Sequence, residues 1–189
     1  SYFAEPSERE QDFIVIGHTS TSVNLATVLA KARHVTGGTG NVSAVIGDGF
    51  TKANVQLLTL ALARKMLDEG RADKGFVIGY DRRFLSEEAA GWAAEVMAGQ
   101  GILCRIIHRE SPTPLMMYTV AAYGLPYGMA ITASHNPAKY NGYKAYGPDG
   151  CQMTSEAADA VYAEMQATDI FAGIRLADFD AALEQGGIE

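Results

Sequence analysis

Residues 132–147 read TASHNPAKYNGYKAYG. Ser134, His135 and Asn136 stand side by side, Pro137 locks the next backbone position, and Gly142 and Lys144 follow. A serine hydroxyl set just past a buried strand can face solvent while neighbouring amides and side chains receive an anion, which makes Ser134 a candidate nucleophile. The same residue types also build ordinary surface turns, and Lys144 also reads as a solvated surface charge. The Arg82–Arg83 pair has a bland reading too, as helix-entry charges paired with Glu87 or Glu88.

The elements that must position these residues follow from periodicity. Val55, Leu58, Leu62 and Met66 recur at three- and four-residue steps, with Leu57 and Ala61 beside them, Thr51 as an N-cap and Gly70 as a stop. That pattern predicts an amphipathic helix over 51–70. GFVIG (75–79) predicts a strand, and Ser86 with Glu87 and Glu88 opens a helix reaching Gly101. ILCRII (102–107) predicts another strand, SPTP leads into a helix over 114–123, and GMAITAS (128–134) is the strand that delivers Ser134. After Gly150, Ala157, Ala158, Val161 and Met165 share one side of a further helix, and a shorter one is expected near 178–185. Towards the N-terminus, FIVIG (13–17) reads as a strand, 21–34 as a helix and HVTGGTGN as a flexible loop.

Strands alternating with helices at this spacing predict an α/β fold, a three-layer α/β/α domain with a largely parallel mixed sheet. Ligands of such sheets gather at the carboxyl ends of the strands. Three loops would meet there: GYDRRFLSEE (79–88), RESPTPL (109–115) and the serine stretch.

Composition narrows the partners. The chain has 189 residues, 48% of them hydrophobic, enough for one sizeable core. Fifteen Lys and Arg against 22 Asp and Glu give a net charge of −7, the wrong sign for gripping nucleic acid or an anionic membrane. Small molecules or proteins are the expected partners. Cys104 and Cys151 have no ligand-type cluster around them, which disfavours a disulfide scaffold or a zinc site and fits a reducing cytoplasm. Apolar runs are far shorter than the roughly 20 residues of a membrane helix, and the acidic start SYFAEPSEREQD is unlike a signal peptide. A hydrolase elbow G-x-S-x-G is absent around Ser134, where Thr132, Ala133, His135 and Asn136 stand instead, and GGTG does not extend to a dinucleotide fingerprint.

ITASHNPAKYNGYKAY (131–146) resembles the catalytic-serine signature of the α-D-phosphohexomutases, the phosphoglucomutase/phosphomannomutase family. Three further segments resemble the family's first domain in the same order: AVIGDGFTKANV (44–55), VIGYDRRFLSEEAA (77–90) and PTPLMMYTVAAYG (112–124). The resemblance implies a serine that carries a phosphoryl group, donates it to one hydroxyl of a hexose phosphate and takes the phosphate back from the other end of the sugar. Ser134 matches that serine and, once phosphorylated, a magnesium ligand. His135 and Lys144 match residues active in proton transfer and charge neutralisation beside it. Arg83 falls on the arginine of the family's G-x-D-x-R loop. Asn136, Asn141 and Gly142 resemble residues that shape the serine loop, and Arg83, Asn136 and Asn141 are expected on its substrate side. Magnesium and a hexose bisphosphate activator are the implied cofactors.

Two departures qualify this. Ser43, in GTGNVSA (38–44), stands where the family carries an arginine, and residues 1–35 form a divergent or appended segment before the domain at 36–189. The family's enzymes have four domains, and no D-G-D-G-D-R metal loop occurs in this chain. The chain is therefore expected to be domain I without independent turnover, the other domains of a longer polypeptide supplying metal ligands and sugar recognition. The alternative is a non-catalytic relative that binds sugar phosphates or a partner. Val161, Met165, Ile170, Phe171, Ile174 and Phe179 are expected to leave an apolar patch, with self-association through the C-terminal segment or disorder and repacking of it as the result.

Overall fold

The computed structural model describes residues 41–168 and 173–189. The segments 13–17 and 21–34, most of HVTGGTGN, and Ile170 and Phe171 lie outside the described residues. The elements run β1 (Asn41–Val45), α1 (Lys52–Asp68), β2 (Phe76–Tyr80), α2 (Ser86–Gly99), β3 (Cys104–Ile106), α3 (Thr113–Ala122), β4 (Gly128–Ile131), β5 (Tyr140–Tyr146), α4 (Ser155–Ala167) and α5 (Phe179–Glu184). The sheet order is β1-β5-β4-β2-β3. β4, β2 and β3 are parallel, while β5 runs antiparallel to both β4 and β1. The expected three-layer α/β/α fold with a largely parallel mixed sheet is what forms.

Its layering follows from the path of the chain. From β2 the chain moves outward to β3 and then returns past β2 to β4. Two crossovers of one hand in opposite directions put their helices on opposite faces. Accordingly α2 packs with α1 over Phe76, Ile78, Met129, Ile131 and Tyr143, and Met165 of α4 joins that core. On the other face Met116 and Val120 of α3 cover Val77, Ala130 and Tyr146.

Caps match residue chemistry. Thr51, Thr154 and Asp178 each accept a backbone N–H of the first turn of α1, α4 and α5. α2 differs, since Leu85 precedes it at φ +63° and the Ser86 hydroxyl is engaged elsewhere. β3 is shorter than the expected 102–107, although Leu103 and Ile107 still bond to β2 through the Phe76 N–H and the Ile78 carbonyl. α1 is less amphipathic than its spacing suggested, being buried along most of its length between α2, α4 and the sheet.

Among the described residues of the expected C-terminal patch, Val161, Met165 and Phe179 pack onto the domain itself, Met165 being 5% exposed. Residues 187–189 bond to the free edge of β3, with Cys104 N–H on the Gly187 carbonyl at 3.0 Å and Ile106 N–H on that of Glu189 at 2.7 Å. Leu176 and Leu183 remain exposed.

Candidate active site

The expected strand over 128–134 stops at Ile131 because the chain turns at once. The Ser134 N–H donates to Thr132 Oγ1 at 3.0 Å, and the Asn136 N–H donates to the Ala133 carbonyl at 3.0 Å. Ser134 thereby adopts φ +55°, in the left-handed region that costs a residue with a Cβ about 1–2 kcal/mol. Leu85 is the other non-glycine residue with positive φ among the described residues, and it lies in the loop after β2. Ser134 is exposed beyond the carboxyl end of β4, with its Oγ 3.3 Å from His135 Nδ1.

The three expected loops do converge. The Asp81 N–H donates to the Ile131 carbonyl at 3.1 Å, the Ser111 N–H to the Tyr80 carbonyl at 2.9 Å, and Arg82 pairs with Glu110 at 3.4 Å. Gly79 permits this approach, since a Cβ there would sit 3.0 Å from Ser111 Oγ.

Arg83 reaches from the first loop into the serine loop. Its Nη1 donates to the carbonyls of Pro137 (3.1 Å) and Tyr140 (2.9 Å), and its Nη2 to those of Ser134 (2.7 Å) and Asn136 (2.6 Å). Its Nε lies 3.4 Å from Asp81 Oδ2. A guanidinium has five N–H groups; the four on Nη1 and Nη2 each have a carbonyl acceptor here, and the fifth, on Nε, faces the Asp81 carboxylate as an ion pair. Asp81 Oδ1 accepts the Arg83 backbone N–H and the Ser86 hydroxyl, both at 2.9 Å.

Asn141 is fully buried. Its amide donates to the Phe84 carbonyl at 3.1 Å and to Ser86 Oγ at 2.9 Å, and its oxygen accepts the Gly142 N–H at 2.8 Å. Arg83 and Asn141, expected on the substrate side, thus point their polar groups into the protein. Asn136 is half-buried and contributes its backbone to the loop.

Lys144 lies within β5, opposite Ala130 of β4, rather than in a loop. It is half-buried, which lowers its ammonium pKa, while the charge of Asp81 opposes that shift. Ser43 pairs with Gly142 across β1 and β5, and strand alternation puts positions 43, 142 and 144 on one face. A Cβ on Gly142 would stand 2.5 Å from the Thr132 carbonyl oxygen and 2.6 Å from that of Val42, so the glycine is a packing requirement. Among the described residues no three His, Cys, Asp or Glu side chains gather into a metal-holding group. No described helix is long and apolar enough to cross a membrane.

Asp81, Ser86 and Thr132 connect this site, and sequence reasoning did not single them out as site residues. An aspartate two residues before Arg83 and just past a strand is the usual beginning of an Asx-turn, a signal that was available for Asp81. No comparable local signal marked Ser86 or Thr132.

Comparison with known proteins agrees with this fold. Residues 34–170 match the family model described as "Phosphoglucomutase/phosphomannomutase, alpha/beta/alpha domain I". A phosphoglucomutase of Staphylococcus saprophyticus is 33% identical over 155 residues, which is 80% of this chain but 28% of the relative. A probable phosphoribomutase of Schizosaccharomyces pombe is 38% identical over 123 residues, 61% of this chain and 21% of the relative. The crystal structure of a proposed phosphomannomutase from Thermus thermophilus superposes with a TM-score of 0.64 at 33% identity, covering 68% of this chain and 29% of its own. The chain thus spans less than a third of the length of these relatives. With the serine loop, the ordered motifs and the layered sheet all in agreement, the chain belongs to the phosphoglucomutase/phosphomannomutase family and carries its α/β/α domain I.

Proposed function

We propose that this chain is the phosphoserine-bearing part of a phosphohexomutase, acting on hexose phosphates in carbohydrate metabolism. The observation that carries the reading is Ser134: exposed past the end of β4, at φ +55°, in a loop whose carbonyls are gathered onto one arginine. In the transfer, the bond between Ser134 Oγ and phosphorus breaks as a sugar hydroxyl oxygen bonds to that phosphorus. The hydroxyl proton goes to a base, and the serine oxygen leaves; in the return step that oxygen attacks the phosphorus of the sugar's other phosphate, whose bond to the sugar oxygen breaks, and the released sugar oxygen takes up a proton.

Two neighbours suit these proton movements. His135 Nδ1 is within hydrogen-bond reach of Ser134 Oγ and can pass a proton to or from it. Burial of Lys144 makes its neutral, proton-accepting form more accessible, and its charged form can neutralise phosphate oxygens. Asn136 is proposed on the sugar side of the loop. A hexose bisphosphate would load Ser134 initially.

A magnesium ion fits this reading only in part. Phosphorylated Ser134 would supply one oxygen, but among the described residues no three His, Cys, Asp or Glu side chains gather to complete a ligand set. No step is therefore routed through the metal, and the remaining ligands and the sugar-reading groups are assigned to other domains of a longer polypeptide. One observation favours a second reading, a sugar-phosphate-binding relative without turnover: Ser43 replaces a cation on the face shared with Lys144.

The test is phosphorylation mapping by mass spectrometry on protein purified from its native cells, paired with turnover of hexose 1- and 6-phosphates by the same preparation. Phosphate on Ser134, and loss of turnover in Ser134→Ala, are expected. A turnover-competent preparation that keeps its rate after Ser134→Ala would overturn the reading.

A further inference from the structure

Four carbonyl oxygens of the serine loop, from Ser134, Asn136, Pro137 and Tyr140, converge on one guanidinium. Such a convergence of partial negative charge is repulsive unless a multi-donor cation fills it. The planar five-donor fork of arginine does so with a geometry that a lysine ammonium cannot reproduce. We propose that Asp81 and Arg83 form a positioning pair: the carboxylate fixes the guanidinium, the guanidinium fixes the loop carbonyls, and Ser134 is thereby held with its hydroxyl outward. The proposal rests on Ser134 being the phosphoryl carrier, and it makes Arg83 a support of that residue rather than a phosphate ligand.

The pair is itself anchored on three elements. The Asp81 backbone N–H is bonded to Ile131 at the end of β4, and its Oδ1 takes the Ser86 hydroxyl at the start of α2. Ser86 Oγ in turn accepts from Asn141 of β5. The other internal bonds of the loop are short-range: Ser134 N–H to Thr132, Asn136 N–H to Ala133 and Tyr140 N–H to Pro137. These close tight turns but do not tie the loop to the domain. At the far end of the loop the Lys139 carbonyl accepts the Ile46 N–H at 2.9 Å. At the Ser134 end the tie is Arg83, bridging 51–57 residues of sequence with its side chain only 14% exposed. A left-handed serine persists only where its surroundings over-determine it, and here the overdetermining group acts directly on the Ser134 carbonyl.

Three measurements test this. In this chain, amide exchange in the segment 133–141 is expected to rise about tenfold or more in Arg83→Gln, Arg83→Lys and Asp81→Asn, while amides of β2 and β4 stay protected. With phosphoserine encoded at position 134, the phosphorus NMR titration midpoint is expected to stay put in Arg83→Gln, because both guanidinium Nη atoms are committed to loop carbonyls. In a turnover-competent preparation containing this chain, kcat is expected to fall on the order of 100-fold with KM nearly unchanged, the signature of a displaced reacting group.

A midpoint that moves by about a unit, or a loss confined to KM, would show Arg83 on the phosphate and overturn the proposal. Unchanged exchange in all three variants would do the same. Should Arg83→Gln fail to fold, Arg83→Lys and Asp81→Asn carry the same readouts. Turnover retained in Ser134→Ala would instead refute the phosphoryl-carrier reading, and the exchange result would still judge the clamp independently.

Discussion

Replacing Asn141 by alanine separates a residue that contacts substrate from one that holds the fold together. The buried amide has three partners: the Phe84 carbonyl, Ser86 Oγ and the Gly142 N–H. Removing it leaves the Gly142 N–H without its acceptor inside the sheet. Ser86 Oγ loses its donor yet keeps its own bond to Asp81, and the Phe84 carbonyl lies on a residue exposed enough for water to replace the lost donor. One buried group fully orphaned and one half-satisfied, at roughly 1–3 kcal/mol for a complete orphan, predict a loss of about 2–4 kcal/mol. At about 2–4 °C per kcal/mol for a chain of this size, the melting temperature should drop by roughly 5–15 °C. Thermal unfolding followed by circular dichroism, with urea titration as a second measure, reads this directly. Asn141→Asp should not restore the loss, because a carboxylate keeps the acceptor for Gly142 but sets negative charge against the Phe84 carbonyl. A melting temperature within about 2 °C of the parent, coupled with a selective rise in KM, would refute this account and return Asn141 to the substrate side.

Other outcomes follow from the same structure. Gly142→Ala must displace the Thr132 or Val42 carbonyl, because its Cβ would lie 2.5–2.6 Å from them, and a loss of roughly 1–3 kcal/mol is expected; an unchanged urea midpoint would contradict the packing. Burial alone would raise the Glu69 carboxyl, but hydrogen bonds from Lys65 at 2.7 Å and Tyr127 at 2.9–3.0 Å, with the Lys65 and Arg71 charges, hold it below its usual value. A depressed folded pKa contributes stability that is present above the unfolded value of about 4.3 and is lost as pH falls through the folded one. Glu69→Gln should therefore flatten the decline of melting temperature on acidification, and parallel profiles for parent and variant would count against the network. Finally, this chain alone should not interconvert hexose 1- and 6-phosphates even with magnesium and a bisphosphate; turnover abolished by Ser134→Ala would show that the domain needs nothing further.

Local chemistry made much of the molecule legible in the sequence. Thr51 could be read as a cap because a cap needs only its own side chain and the next three amides, whereas Thr154 and Asp178, which cap α4 and α5 by the same chemistry, emerged from the structure. The alternation from β2 to β4 was legible for a similar reason, since each element there carries its own period and its own stop. So was the serine stretch, whose motif sits on contiguous residues. β5 was not, because Asn141, Gly142 and Lys144 interrupt any β-prone pattern, and the segment is a strand only by being flanked by β1 and β4. The placement of Lys144 within the sheet depends on that pairing. The inward turn of Arg83 and Asn141 also lay beyond sequence reading, because their partners stand 51–57 residues away and meet only when β5, β4 and β2 adopt their spatial order. Residue type and spacing thus determined which groups are chemically competent. The tertiary structure decided which of them stand exposed and which hold the frame, because every donor has a limited number of bonds and only three-dimensional neighbours settle where they go.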